Sequence, residues 1–169
     1  MAGFDTSFKT SVGTIEPVGP GELSIAGRSY SSVRGFDQFE NNLAVGVVAY
    51  REAGKDIAKN MVTGQTADQF LGVVLRKLGS AHADVYKFSG AITAQDTCPY
   101  SDPIADICQE GKVTVKAKAG SVYKHGEKVF VQDDGSVDVT GAGVEWTGVT
   151  FIRTIKDGVA MINIPSRIS

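Results

Sequence analysis

The strongest constraint on the fold is an alternation of apolar and polar residues between Gly111 and Ile164. From Lys112 to Ala119 the odd-numbered residues are apolar and the even-numbered residues are polar. A strand with this pattern buries one face against a core and exposes the other face to water. We therefore expect the lysines of this segment to lie on the solvent side of a sheet.

Turn residues divide the rest of this region into short strands. Asp133-Asp134-Gly135 follows an apolar run at 129–131 and precedes a second alternating segment at 137–139. Lys156-Asp157-Gly158 joins the apolar segments 149–153 and 159–164. The Asp-Gly pair favours the positive φ angles of tight hairpin turns. The pattern predicts a series of strands and turns that ends in a hairpin around Asp157-Gly158.

The glycine content also favours a β fold. The chain of 169 residues contains 20 glycines and only 8% aromatic residues, and each glycine inside a helix costs about 1 kcal/mol. A body of about 130 residues buries roughly two thirds of its unfolded surface and needs no metal or disulfide to fold. We predict a mainly β protein, with a compact β-barrel or β-sandwich body at residues 36–169, one short helix and an extended N-terminal arm at residues 1–35.

The short helix is predicted near residues 102–111. Asp102 has the chemistry of an N-cap, Pro103 suits the first helical position and Gly111 offers a C-terminal stop. The apolar face of this helix would consist of Ile104, Ile107 and Cys108.

Two further apolar segments precede that helix. Residues 43–50 have the length and the β-branched content of a strand buried on both faces. The segment 66–78 leaves two alternatives. Thr66 and Gln69 fit a capping box ahead of apolar residues at helical spacing, whereas the run 70–75, with an internal Gly72, fits a strand. Local rules do not decide between them.

The arm is rich in Gly, Ser, Thr and Pro, and its apolar residues are isolated. They are spaced too irregularly for a buried face, so the arm cannot offset its ordering entropy by itself. Two alternatives follow: the arm is an unstructured terminus, or a neighbouring surface orders it. Phe4 and Phe8 favour docking, because a pure linker has no use for aromatic side chains.

Charge and hydropathy exclude several classes of partner. The formal net charge is -2 and the pI is near 5.7, so no long-range field attracts nucleic acid or an anionic membrane. The longest apolar run, residues 43–50, is far shorter than the roughly 20 residues that span a bilayer. The first residues lack a basic segment followed by an apolar core, so we expect synthesis in a cytoplasm without secretion. We predict no nucleic-acid partner and no membrane partner.

Motifs for catalysis or metal binding are missing from the sequence. His82 and His125 each lack a second ligand at metal spacing. Cys98 and Cys108 match neither a zinc knuckle nor a redox pair, so we expect two reduced thiols. Gly64-Gln65-Thr66 lacks the rest of a phosphate-binding loop, and no G-x-S-x-G occurs. We predict that the protein is not an enzyme and holds no metal and no cofactor.

Two features keep an alternative function open. Carboxylates from distant positions can meet in space for glycoside chemistry, although turn and cap roles explain each of them; the candidates are Asp102, Asp106, Asp133, Asp134 and Glu145. Trp146 is predicted as a core aromatic, with a sugar platform or an interface anchor as alternatives. The alternative function is therefore a small-molecule or carbohydrate-binding β-sandwich module.

Several segments taken in order carry a family resemblance. They are Pro17 to Glu22, Phe70 to Arg76, Val113 to Val131, Phe151 to Thr154 and Gly158 to Ala160. In this order the chain resembles the tailed-bacteriophage capsid decoration proteins of the structural-cement type. The likeness covers most of the chain through Gly and β-branched patterns, without an invariant chemical group. Residues 97–110 have no counterpart in the family pattern.

The resemblance implies a β-rich virion protein that is made in the host bacterial cytoplasm and sits on the outer surface of an icosahedral head. It implies a strand at residues 70–76, which decides the ambiguity left by local rules. The partners it implies are the major capsid protein, whose neighbouring subunits the protein would clamp, and further copies of the chain, with a trimer favoured over a dimer. The arm would dock on the capsid through Phe4, Phe8, Ile15, Pro17, Val18, Pro20 and Leu23.

Overall fold

The computed structural model describes residues 19–23, 32–37, 43–55, 57–75 and 104–166. Within these ranges the chain forms nine strands and a single 3-10 turn at Ala67–Gln69. The strands are β1 (Ser32–Asp37), β2 (Val48–Arg51), β3 (Ala58–Asn60), β4 (Phe70–Val74), β5 (Ile104–Lys116), β6 (Lys128–Val131), β7 (Val137–Asp138), β8 (Val144–Lys156) and β9 (Val159–Ile164).

These strands form one curled antiparallel sheet in the order β3-β2-β4-β5-β9-β8-β6-β7, with β1 paired to β5. The sheet has the shape of a half-barrel, which confirms the predicted mainly β class. The end strand β7 curls back to the middle of the sheet, because Ala117, just beyond β5, makes a parallel bridge to Val137 in β7. The N–H of Lys118 also donates to the Val137 carbonyl over 3.1 Å. Sequence-distant strands therefore hold the curl closed at this point.

Both predicted turns are confirmed. β8 and β9 form a hairpin across Asp157-Gly158, with Gly158 at a φ of 73°. The Asp157 carboxylate accepts the Gly120 N–H at 2.7 Å and so fixes the hairpin tip to the loop after β5. Between β6 and β7, Gly135 has a φ of 78° and its N–H donates to the Gln132 carbonyl at 2.9 Å. Positive φ is the conformation for which glycine is favoured.

The predicted helix near residues 102–111 is wrong over the part that the structure describes. Residues 104–110 are the first half of β5 and pair with β1 and with β4. Ala105 and Ile107 face one core cluster and Cys108 faces the other. Backbone hydrogen bonds to two flanking strands outweigh the local helix signals, which are weak priors. Gly111, the predicted stop, lies inside β5 with a φ of 107°, where pairing passes from β1 and β4 to β9.

The predicted strand at 43–50 is correct in burial and too long in extent. Leu43, Val45 and Val47 are buried, but the strand begins only at Val48. Gly46 has a φ of 76° and lies in a turn, which interrupts the extended backbone. Continuous apolar character predicted the burial and did not predict the turn.

In the ambiguous segment at 66–78, the capping box and the strand are both present, one after the other. The Thr66 N–H donates to the Gln69 side-chain oxygen at 3.0 Å, as in a capping box, but only the 3-10 turn Ala67–Gln69 follows. The chain then enters β4, and all five of its residues are buried. The strand implied by the family resemblance is thus confirmed for residues 70–74. A Cβ on Gly72 would lie 2.1 Å from the Cys108 carbonyl oxygen, so only glycine allows β4 and β5 to approach this closely.

The core consists of two clusters on opposite faces of β4 and of the first half of β5. The larger cluster includes a Tyr123 ring stacked on Phe151, with centroids 4.3 Å apart, and a Trp146 ring edge-on to Phe70 at 5.8 Å. Trp146 is 3% exposed, so its prediction as a core aromatic is confirmed. The smaller cluster consists of Leu43, Val45, Ala49, Ala58, Leu71, Val74, Ala105 and Ile107.

Candidate functional site

The N-terminal arm is attached to the body by residues 19–23, which we call the clip. The clip lies along β5 beside Thr114, and Leu23 forms an antiparallel bridge with Val113. The Gly21 N–H donates to the Thr114 carbonyl at 2.8 Å, and the Thr114 N–H donates to the Glu22 carbonyl at 2.9 Å. The clip thus satisfies both backbone groups of Thr114 and extends the sheet on that side of β5.

The Thr114 side chain strengthens this attachment. Its hydroxyl donates to the Gly19 carbonyl at 2.5 Å and accepts the Glu22 N–H at 2.9 Å. Thr114 has no exposed surface, so these partners replace water completely. The alternation around β5 predicts the burial of Val113, Val115 and Ala117 correctly. It is wrong for Thr114, because the clip covers the face that the pattern assigns to solvent.

Two glycines allow the clip to come this close. Gly21 has a φ of 74°, and a Cβ on it would lie 2.6 Å from a methyl carbon of Val45. Gly46 has a φ of 76°, and a Cβ on it would lie 2.3 Å from Cβ of Pro20. Each glycine therefore occupies a position that excludes a side chain by backbone conformation and by space. The clip and the Gly46 turn fit together as a complementary pair.

The predicted docking residues divide into two groups. Pro20 and Leu23 lie in the clip; both are half-buried, and Leu23 packs against the larger core cluster. The other five, Phe4, Phe8, Ile15, Pro17 and Val18, lie outside the described residues. Part of the predicted arm is thus bound to the chain's own body, and β1 crosses the predicted boundary at residue 35.

The sequence held a signal for this attachment that pattern analysis missed. Among the even positions 112–118, Thr114 alone is not a lysine. A buried hydroxyl with hydrogen-bond partners is tolerated where a buried ammonium is costly, so the threonine marks the covered position. Gly19-Pro20-Gly21 is a turn signal as well. Neither feature indicates which segment it contacts, because Gly19 and Thr114 are more than 90 residues apart in the sequence.

An open groove of about 840 Å³ lies beside the clip, and Pro20 forms part of its wall. The other walls come from the end of β5, the β6–β7 turn and the β8–β9 hairpin. Its charged residues are three lysines and three aspartates, namely Lys116, Lys118, Lys156, Asp133, Asp134 and Asp138. None of its lining residues is aromatic, so the groove lacks the stacking surface that a sugar platform requires.

Asp138 is the buried carboxylate of this groove, at 2% exposure. It accepts the Val139 N–H at 2.8 Å and the Thr140 hydroxyl at 3.1 Å, and the Lys118 ammonium lies 3.6 Å away. Burial raises the pKa of the neighbouring Tyr123, whose hydroxyl donates to the Lys118 carbonyl. The polar atoms around Asp138 thus have partners within the protein, and the cluster serves to hold the groove wall.

Asp133 and Asp134 line the same groove, whereas Asp106 and Glu145 lie outside it. Within the described residues no three His, Cys, Asp or Glu side chains are grouped to hold a metal ion. Asp133 accepts the Thr63 hydroxyl, Asp134 accepts the Ser136 N–H and Glu145 pairs with Lys128 at 2.8 Å. Asp106 is half-buried in β5. Asp102, His82 and Cys98 lie outside the described residues.

Two remaining residues are accounted for by their surroundings. Cys108 is a free, fully buried thiol, and burial raises its pKa to about 12. A thiol with this pKa is protonated and unreactive at neutral pH. His125 is exposed in the loop before β6. Over the part of the chain that the structure describes, no helix has the length and apolar character to cross a membrane.

The sequence model of the family described as structural cement protein (E217 gp24/Pam3 gp6) matches residues 8–165, so this chain belongs to that family. The resemblance found in the sequence is thereby confirmed. Membership of this family makes the chain a capsid structural protein with a stabilising role, located in the virion capsid.

A solved structure has the same fold. A chain in the structure titled "The capsid of Myoviridae Phage XM1" superposes with a TM-score of 0.68. It is 18% identical in sequence, and the match covers 98% of this chain and 99% of that one. No curated protein matches the sequence.

Proposed function

We propose that this protein binds the outer surface of the assembled icosahedral capsid and clamps neighbouring major capsid subunits together, without catalysing a reaction. The observation that carries this proposal is the family match over residues 8–165. The attached arm supports it, because the clip fixes one end of a segment rich in isolated apolar residues against a stable β body.

Stabilisation of a shell requires no bond chemistry. A ligand that binds the assembled arrangement in preference to separated subunits shifts the equilibrium towards assembly by mass action. A body and an arm that contact two different subunits resist their separation, and many copies on one shell add their effects. The hydrogen-bonded carboxylates and the buried thiol described above fit a protein that works by contact.

Docking is proposed to involve the arm. Phe4, Phe8, Ile15, Pro17 and Val18 precede the clip and supply apolar contacts, while Pro20 and Leu23 connect those contacts to the body. An extended segment of this kind suits addition to an exposed sheet edge of a capsid subunit, where main-chain hydrogen bonds supply affinity.

The decisive experiment mixes the purified protein with mature empty shells and images them by electron cryomicroscopy. We expect added density at positions between capsomers on the outer surface, together with a higher disruption temperature of the decorated shells. Smooth shells at saturating protein concentration would refute the proposal. Density inside the shell would refute the outer placement alone.

The oligomeric state is a separate part of the proposal. We propose a homotrimer on the capsid, with a dimer as the alternative. Light scattering of the free protein and the local symmetry of the added density give the number of copies directly. A monomer in solution that is also single on the shell would refute this part without affecting capsid binding.

A further inference from the structure

We propose that the clip, residues 19–23, is the root of the capsid-binding arm and limits its reach to residues 1–18, which we call the leading segment. This inference rests on the proposed docking of the arm. It adds that Thr114, Gly21 and Gly46 are positioning residues for capsid binding, although none of them needs to contact the capsid.

The body has a site built to hold the clip. Thr114 donates or accepts four hydrogen bonds with the clip through its N–H, carbonyl and hydroxyl groups. The closing contact between Gly21 and Gly46 admits no side chain on either residue. A segment that merely rested on the sheet would need neither a buried hydroxyl nor two glycines at positive φ.

The clip also sets the free length of the arm. The next described attachment after the clip is β1, which begins at Ser32. With the clip bound, the arm in front of the root is residues 1–18, which span at most roughly 60 Å when fully extended. With the clip released, β1 would be the first described attachment, and up to 31 residues would precede it and span at most roughly 105 Å. Clip binding therefore shortens the distance that the arm can reach from the body.

The free length of the arm affects its affinity for the shell. For a tethered contact, the effective concentration falls roughly as the −3/2 power of tether length. Lengthening the arm from residues 1–18 to residues 1–31 then weakens shell binding by about twofold, before any loss of orientation is counted. The clip also holds Pro20 at the wall of the open groove, so the arm leaves the body from a defined place.

Two matched pairs of variants test the inference in the full-length chain. Gly21→Ala places a Cβ against Val45, whereas Gly120→Ala adds a Cβ at a similar φ of 79° with no atom within 4 Å. Thr114→Val removes the hydroxyl and keeps the shape, whereas Thr114→Ser keeps the hydroxyl. Amide hydrogen exchange at Gly21 and Thr114 reports whether the clip is open, and sedimentation with mature empty shells reports the affinity.

We expect Gly21→Ala and Thr114→Val to speed exchange at the clip and to weaken shell binding by at least about twofold. Gly120→Ala and Thr114→Ser should match the wild type in both measurements. A chain without residues 1–18 should bind more weakly than any of them. Open clips with wild-type affinity would overturn the role of the root while leaving arm docking intact. Undiminished binding by the chain without residues 1–18 would instead overturn arm docking itself.

Discussion

At the scale of single residues, three glycines permit two close approaches in this fold. Gly72 lets β4 lie against β5, and Gly21 and Gly46 let the clip lie against the body. In a sequence pattern, a glycine indicates a turn or a weak point in a strand. They do not reveal which backbone will pass within contact distance. Each of these glycines is required because of the atoms that surround it in the folded chain.

Gly72→Ala should be strongly destabilising. The added Cβ meets backbone atoms of Cys108, which cannot move aside without shifting β5. Overpacking of this kind costs about 1–3 kcal/mol. Urea denaturation measures the change in unfolding free energy. Gly64→Ala is the matched control, since Gly64 also has a positive φ and has nothing within 4 Å. Equal stability of the two variants would show that the approach of β4 to β5 is not tight.

The buried Cys108 predicts a loss of stability at high pH. Burial raises the pKa of its thiol from 9.0 to about 12. Between these values the folded chain keeps a proton that the unfolded chain has lost, so folding stability is complete below pH 9 and falls as the pH rises towards 12. The slope from this one group is at most about 1.4 kcal/mol per pH unit.

Comparison with Cys108→Ala isolates this contribution, because the raised pKa of Tyr123 acts in the same direction in both proteins. Urea denaturation from pH 8 to pH 11 should show a shallower decline for the variant. Parallel pH profiles would mean that the thiol ionises as readily in the folded chain as in the unfolded one.

At the scale of elements, the long strand β5 joins the part of the sheet that contains β1 to β4 to the part that contains β6 to β9. β5 pairs with β1 and β4 through its first half and with β9 through its second half. β8 pairs with β6 near its start and with β9 towards its end. β5 contributes buried residues to both core clusters and so couples them, whereas the buried residues of β8 all belong to the larger cluster. The change of partner in β5 falls at Gly111, whose helix-stop signal misled the local prediction.

The β8–β9 hairpin offers a test at this scale. Asp157→Ala removes the acceptor of the Gly120 N–H and leaves that donor to water, with an expected loss of about 1 kcal/mol in unfolding free energy. Asp157→Asn keeps a side-chain oxygen at the same place and should lose less than half of that amount. Thermal and urea denaturation compare the two variants. A larger loss for Asn than for Ala would rule out this hydrogen bond as the cause.

At the scale of the whole molecule, the boundary between arm and body matters most. The leading segment ends where the clip begins, and the clip and β1 both pair with β5. The arm predicted at residues 1–35 thus contains two attachments to the body. Truncations separate the two roles of this region.

Deletion of residues 1–18 should leave the unfolding free energy within about 0.5 kcal/mol of the wild type, since the clip and β1 stay in place. Deletion of residues 1–35 removes the clip and part of β1, exposes an unpaired edge of β5 and should lower both stability and solubility. Denaturation and light scattering distinguish the two. A stable, monodisperse product of the longer deletion would show that neither attachment supports the body.

The sequence by itself determined the β class, both Asp-Gly turns, the buried side of the second half of β5 and the family. Each of these depends on short-range periodicity, turn chemistry or the order of segments along the chain. Only the tertiary structure decided that residues 104–110 form a strand, that Gly46 turns the chain and that Thr114 is buried. The reason is physical: these outcomes depend on hydrogen bonds and contacts between segments that are far apart in sequence, such as Gly19 and Thr114. Local patterns carry no information about which of those segments will meet.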